Sequence, residues 1–304
     1  MFKRILVPLD GSHRAEQALE IVKFLNAEEE IELILLEVID PVVQAPMSYP
    51  LSEVPFSQID PAISYERADG YLTNLLGNPT GSLNNRRAIL EYGTADQVII
   101  ETAKREAVDL IVMVTHGYKG VDRFILGSVT EKVIRGANCP VLALRDGAIP
   151  SRFLVTLDCT PFSESILAPS IEFAQTVGAK VTLAHICKNQ NQASVSELHY
   201  LATLDPGLYD RIRTAQTMST NFYLDDLTDE IEEKTGISIT YELGDGPTCN
   251  EILAMADRQG HDLIVMKTHG RTGLERLLKG SVTEQVFREG KASMLIFHTE
   301  HTEG

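Results

Sequence analysis

The chain has 304 residues, enough for two domains of ordinary size, and 43% of them are hydrophobic against 23% charged. With 43 acidic and 27 basic residues the formal charge is −16. That field opposes phosphate backbones and anionic bilayers, so neither nucleic acid nor membrane is expected as a partner.

The opening MFKRILVPLD passes directly into a strand-like run without the apolar core of a signal peptide, which predicts a cytoplasmic protein. Strands are predicted at residues 4–9, 31–39, 86–92, 110–114 and 141–144. Stretches such as ILLEVI and LIVMV are continuously apolar rather than alternating, the pattern of parallel strands covered by helices on both faces. Between them Ala15, Ala18, Leu19 and Val22 recur at helical spacing, as do Ala95, Val98, Ile99 and Thr102–Ala103. Residues 40–61 carry Pro41, Pro46, Pro50, Pro55 and Pro61, which forbid a continuous helix and predict a surface excursion. The joint between halves falls near residues 145–151 (RDGAIPS).

The second half repeats this order, with strands predicted at residues 152–157, 180–187, 237–243, 263–266 and 294–297. Thr160 followed by Pro161 marks a helix start, where the missing proline N–H costs nothing. Residues 188–197 read as a polar loop. They lead into Leu208, Ile212, Ala215, Ser219 and Phe222, the spacing of a helix longer than its counterpart in the first half. Alternating strands and helices predict a parallel, doubly wound α/β sheet in each half. Cys139, Cys159, Cys187 and Cys249 form no CxxC and no metal-like spacing, so reduced thiols are expected.

The halves are copies of one another. THGYKGVDRFILGSVT at 115–130 returns as THGRTGLERLLKGSVT at 268–283, and VPLDGS at 7–12 returns as VTLDCT at 155–160. A repeat of half the chain is one domain written twice, so paired sites are expected. Gly117 follows a strand, and Gly127-Ser128 opens a helix. Backbone N–H groups converge there without Cβ obstruction, and a helix N-terminus favours an anion. Lys119, Arg123, Arg271, Arg276 and Lys279 make these loops basic on an acidic chain. Ser128-x-x-Glu131 and Ser281-x-x-Glu284 read equally as capping boxes that need no ligand. Asp10 and Asp158 close the first strand of each half, where ligands of doubly wound sheets bind. A carboxylate there suits a ribose hydroxyl, a Mg²⁺ ion or the cap of the following helix. His116 and His269 read as structural residues held by backbone hydrogen bonds.

LVPLDGS, DLIVMVTHG, GSVTEKVI and NCPVLAL in one order, then DLIVMKTHGRTG and GSVTEQVF, resemble the universal stress protein family, in a tandem form covering nearly the whole chain. The resemblance implies two Rossmann-like, adenine nucleotide alpha hydrolase-like domains, 1–146 and 150–299. Each would be a five-stranded parallel sheet with helices on both faces. The two would pack as an internal pseudo-dimer through their last strands, residues 140–144 against 293–297. It further implies ATP or another adenine nucleotide as ligand, with Mg²⁺ as a candidate companion. Gly117, Gly127, Ser128, Val129 and Thr130 would then cradle the phosphates in one domain, and Gly270, Gly280, Ser281, Val282 and Thr283 in the other. Asp10 and Asp158 would meet the ribose, and the backbone of Val38 and Ile186 the adenine. The family's first motif glycine is replaced by Val114 and Lys267, and the DGS glycine by Cys159.

Three functions compete. The leading one is a nucleotide-binding regulator of the stress response, whose occupancy alters association with protein partners or with a second copy of the tandem chain. The others are a slow ATP hydrolase or self-phosphorylating enzyme, and a nucleotide-free adaptor with vestigial pockets.

Overall fold

The computed structural model describes residues 2–25, 31–39, 61–77, 85–115, 128–187, 208–268 and 282–299. The first repeat runs β1 (Arg4–Leu9), α1 (His13–Glu16), α2 (Ala18–Leu25), β2 (Glu32–Ile39), α3 (Pro61–Gly77), β3 (Arg86–Tyr92), α4 (Ala95–Arg105), β4 (Leu110–Val114), α5 (Ser128–Gly136) and β5 (Val141–Leu144). The second runs β6 (Arg152–Leu157), α6 (Pro161–Glu164), α7 (Leu167–Val177), β7 (Lys180–Cys187), α8 (Leu208–Thr235), β8 (Ile239–Asp245), α9 (Thr248–Gln259), β9 (Leu263–Thr268), α10 (Val282–Glu289) and β10 (Ser293–His298).

Two compact units emerge: Met1–Pro150 with Lys267–Leu278 and Lys291–Gly304, and Ser151–Met266 with Lys279–Gly290. In the first, the strand order is β3-β2-β1-β4-β5-β10. Strands β1 to β5 are parallel, and β10 joins β5 antiparallel through Met294↔Ala143, Leu295↔Leu142 and Ile296↔Val141. In the second, the order is β9-β6-β7-β8, all parallel. The last strand of the second repeat therefore belongs by contact to the first unit, in the last-strand pairing that the resemblance implies. Three side chains fasten it there. The Arg145 backbone N–H donates to Ser293 Oγ (3.1 Å) and its Nε to the Ala292 carbonyl (3.1 Å). His298 Nε2 donates to the Ile134 carbonyl at 2.7 Å.

Burial explains why these segments take these forms. Every residue of β4 (LIVMV) is buried, as both faces of a central parallel strand require. No residue of β3 is buried, and this strand carries Arg86 and Arg87 at the margin of the sheet. Helices α2 and α4 bury the predicted apolar faces, Ala18, Leu19 and Val22 in one and Val98, Ile99, Thr102 and Ala103 in the other. Burial of each such Val, Leu or Ile contributes about 1.5–3 kcal/mol. Thr160 caps α6 in a reciprocal capping box with Ser163, with Pro161 in the first turn.

Each repeat also pins its first strand with one aspartate. Asp109 accepts the backbone N–H groups of Lys3 (2.8 Å) and Arg4 (3.1 Å). Asp262 accepts those of Ser151 (2.9 Å) and Arg152 (2.8 Å), and the Ser151 hydroxyl at 2.8 Å.

Strand bounds shift by up to two residues, and the structure sets the inward face of one helix. β8 starts at Ile239 rather than 237, because Thr235 and Gly236 still finish the preceding helix. In α8 the spacing Ala215, Ser219 and Phe222 does not mark the core face: Phe222 is 67% exposed, and Leu224, Thr228 and Ile231 are buried instead. Docking on β8 sets the helix rotation, with the Tyr241 hydroxyl bonded to Asp225 at 2.8 Å.

Candidate functional site

The strand order reverses between β1 and β4, the switch point at which doubly wound sheets open a crevice. Pairing shows the opening. β1 stays in register with β2 up to Leu9↔Glu37, whereas its pairing with β4 ends at Leu6↔Ile111. The second repeat does the same, pairing β6 with β7 up to Leu157↔His185 but with β9 only up to Val155↔Val265. One residue further along, Asp10 comes level with Val38, and Asp158 with Ile186. Four of the predicted ligand residues are thus brought together pairwise at the carboxyl ends of the first and second strands.

Both aspartates are oriented by the turn that follows them. Asp10 Oδ1 accepts the Ser12 N–H (3.0 Å), and Ser12 Oγ in turn accepts the Ala15 N–H (3.1 Å) at the start of α1. Asp158 Oδ1 accepts the Thr160 N–H (3.2 Å) and hydroxyl (2.5 Å). The residues that cap the helices are therefore Ser12 and Thr160. The aspartates brace them and remain exposed at the crevice.

The remaining predicted residues divide by position. Ser128, Val129 and Thr130 form the first turn of α5, with Ser128 exposed and Thr130 buried. Val282 and Thr283 open α10 in the same way, Val282 exposed and Thr283 buried. Glu131 and Glu284 pair along their helices with Arg135 (3.0 Å) and Arg288 (2.7 Å). Gly117, Gly127, Gly270, Gly280 and Ser281 lie outside the described residues, as do His116, His269 and the basic residues of the two loops. Val114, at the replaced glycine, is buried and paired in register with Leu144; Lys267 is half-buried in β9.

The structure adds residues that the sequence reading passed over. In the first repeat Glu37 is buried, with Oε2 lacking any hydrogen-bond partner among the described residues. Burial pushes its carboxyl above the usual range. The Arg67 guanidinium pulls it down and the Asp10 charge pushes it up. Tyr71 on α3 stands in the same place. Burial, then the Glu16 carboxylate and the charges of Glu37 and Asp10, push its phenol far above the usual range. Glu16 is close enough to act on that hydroxyl but does not meet it in hydrogen-bond geometry. The second repeat matches this with Tyr223 on α8, raised by burial and by Glu164. The second-strand residue differs in kind, Glu37 in one repeat and His185 in the other.

His185 Nδ1 lies 3.0 Å from the Leu157 carbonyl and 3.2 Å from Cys159 Sγ. A carbonyl only accepts, so Nδ1 carries the hydrogen and the sulfur is its second acceptor. Cys159 is left-handed, with φ of 57°, where the first repeat has Gly11 at 75°. Burial first, then the Asp158 charge, push its thiol up to about 11, so it sits there as a neutral thiol. Among the described residues no group of three or more His, Cys, Asp or Glu is arranged to hold a metal ion. Within the same residues no helix is long and apolar enough to cross a membrane.

The structure is a doubled, doubly wound α/β fold with an aspartate at each switch point, a scaffold that hosts many unrelated functions. The particular family follows from comparison. The model of the Universal stress protein family matches residues 1–145 and again 151–298, and the chain belongs to that family, as a member with two such domains in tandem. A protein of Staphylococcus haemolyticus strain JCSC1435, named as a universal stress protein, is 33% identical over 153 residues, 50% of this chain and 90% of that protein. A like-named protein of Staphylococcus aureus strain USA300 is 30% identical over 164 residues, 54% of this chain and 96% of that one. Over the full length, the crystal structure of a universal stress protein from Archaeoglobus fulgidus is similar with a TM-score of 0.67. It covers 97% of this chain and 98% of its own at 19% identity, a likeness of fold.

Proposed function

We propose that each domain, residues 1–146 and 150–299, holds one adenine nucleotide at the carboxyl ends of its strands, and that occupancy regulates association with protein partners during stress. The observation that carries the reading is the duplicated aspartate. Asp10 and Asp158 each stand exposed where the first strand parts from the fourth, level with the second-strand residue that would meet adenine. A carboxylate fixed by its own turn pays little ordering entropy on binding, and it accepts hydrogen bonds from a ribose diol. The phosphates would lie toward Ser128–Thr130 and Ser281–Thr283, at the entrances of α5 and α10, where helix dipoles favour negative charge. Regulation then follows by linkage, since a nucleotide shifts assembly only by binding one state better than another.

Calorimetric titration of the full chain with ATP and with AMP tests this. Asp10→Ala and Asp158→Ala should each weaken one of two sites by about 10- to 100-fold, the worth of a hydrogen bond to a charged group. A chain that gives no heat and no thermal shift with either nucleotide has no such site.

A further inference from the structure

We propose that Cys159 and Cys187 form a redox pair in the second domain, closed to a disulfide by a peroxide across the carboxyl ends of its first two strands. The pairing of β6 with β7 brings them together. Leu157 is level with His185, and each cysteine lies two residues further along its own segment. Cys159 Sγ rests 3.2 Å from His185 Nδ1. Successive strand residues alternate in facing, so Cys187 shares the face of His185. Burial follows that alternation, with Ile186 buried between two half-buried neighbours. The charge of Cys187 is also felt at Cys159. Neighbouring parallel strands lie about 4.8 Å apart, inside the Cα separation that a disulfide spans.

The distribution of cysteines argues for a role. Among the four free cysteines, Cys139 and Cys249 are buried, whereas Cys159 and Cys187 are part-exposed. In the first repeat the same two places hold Gly11 and Ile39. Cys159 sits at φ of 57°, where a side chain brings backbone strain that a glycine avoids. A thiol kept in a strained conformation beside a second thiol points to reaction rather than packing.

The chemistry balances with a peroxide as oxidant. Burial holds Cys159 as a neutral thiol, pushed up to about 11, which assigns the first attack to Cys187. The Cys187 sulfur takes one oxygen of hydrogen peroxide as the O–O bond breaks, giving a sulfenic acid and one water. The Cys159 sulfur then attacks the Cys187 sulfur. The S–S bond forms, the S–O bond breaks, and the hydroxide leaves as water with the Cys159 proton. Two thiols lose two electrons, and one peroxide gains them. Asp158 precedes Cys159 and Ile186 precedes Cys187, so the bond would lie beside the second crevice. Resting on the reading above, oxidation would close the second nucleotide site and leave the first open.

Treat the full chain with excess hydrogen peroxide, remove the peroxide, unfold the chain, alkylate the remaining thiols and map the peptides by mass spectrometry. The parent should keep only Cys139 and Cys249 alkylatable and yield one linked peptide pair holding Cys159 and Cys187. Cys159→Ser should stop at a Cys187 sulfenic acid that dimedone captures, and Cys187→Ser should leave Cys159 alkylatable. The proposal is overturned if all four thiols of the parent remain alkylatable, or if the linkage forms between chains instead. AMP titration reads the consequence separately. Oxidation should remove one of two binding events, dithiothreitol should restore it, and neither serine variant should respond. A linked pair with unchanged AMP heat overturns the closure of the site. A reduced chain without AMP heat overturns the nucleotide reading, while the peptide map alone decides the pair.

Discussion

Gly11 and Cys159 sit in the same turn of their repeats, one residue beyond Asp10 and Asp158, and both are left-handed. A Cβ built on Gly11 would meet nothing within 4 Å, so only backbone strain opposes a side chain there. Gly11→Ala should therefore cost about 1 kcal/mol, the left-handed penalty for an L-residue, read as a lower urea midpoint with unchanged slope. An unchanged midpoint would show that the turn relaxes to another conformation. Cys159 bears the same strain, and the His185 N–H shared with its sulfur helps to hold it. At this scale the sequence was readable where a residue repeats in a repeating motif: Asp10 and Asp158 could be placed because VPLDGS returns as VTLDCT. Glu37 left only a faint mark, a single acid inside an apolar strand. Tyr71 and Tyr223 left none, because they lie on helices of 17 and 28 residues whose lengths break the repeat.

Elements are joined by a few repeated polar braces, and Asp262 shows how. It sits immediately before β9 and accepts three donors from Ser151 and Arg152 at the start of β6, as Asp109 accepts those of Lys3 and Arg4 for β1. Asp262→Ala leaves those donors to water at a part-exposed site and should cost about 1–2 kcal/mol in urea unfolding. Asp262→Asn, which keeps one acceptor oxygen, should recover part of that loss. Equal losses for both variants would show that charge, not acceptance, is what matters. Strand positions were legible because continuous apolar runs admit little besides buried parallel strands. The rotation of α8 was not, since its inward face depends on where β8 receives it, and Ala215, Ser219 and Phe222 look inward only by spacing.

For the whole molecule, acid should act in two steps. Burial lowers the affinity of His298 and His261 for protons below the ordinary 6.5. The unfolded chain then binds more protons than the folded one, so their contribution is intact above about pH 6.5 and shrinks as pH falls below it. Glu32 is held below the ordinary 4.5 by Arg87, then Arg4, so its contribution is intact above that value and fades only in stronger acid. Urea midpoints should decline from about pH 7 to about pH 5, and His298→Phe should start less stable yet decline less over that range. A parallel decline in the variant would take His298 out of the account. The β5–β10 ladder bears on biogenesis too. Arg145 and Ser293 are 148 residues apart, yet they meet where β10 closes the free edge of β5. While a ribosome is still making the second repeat, that edge of β5 stays raw, an adhesive border between neighbouring nascent chains. Closure waits until residues 293–298 have been made, so a product stopped before them would emerge sticky rather than merely shorter.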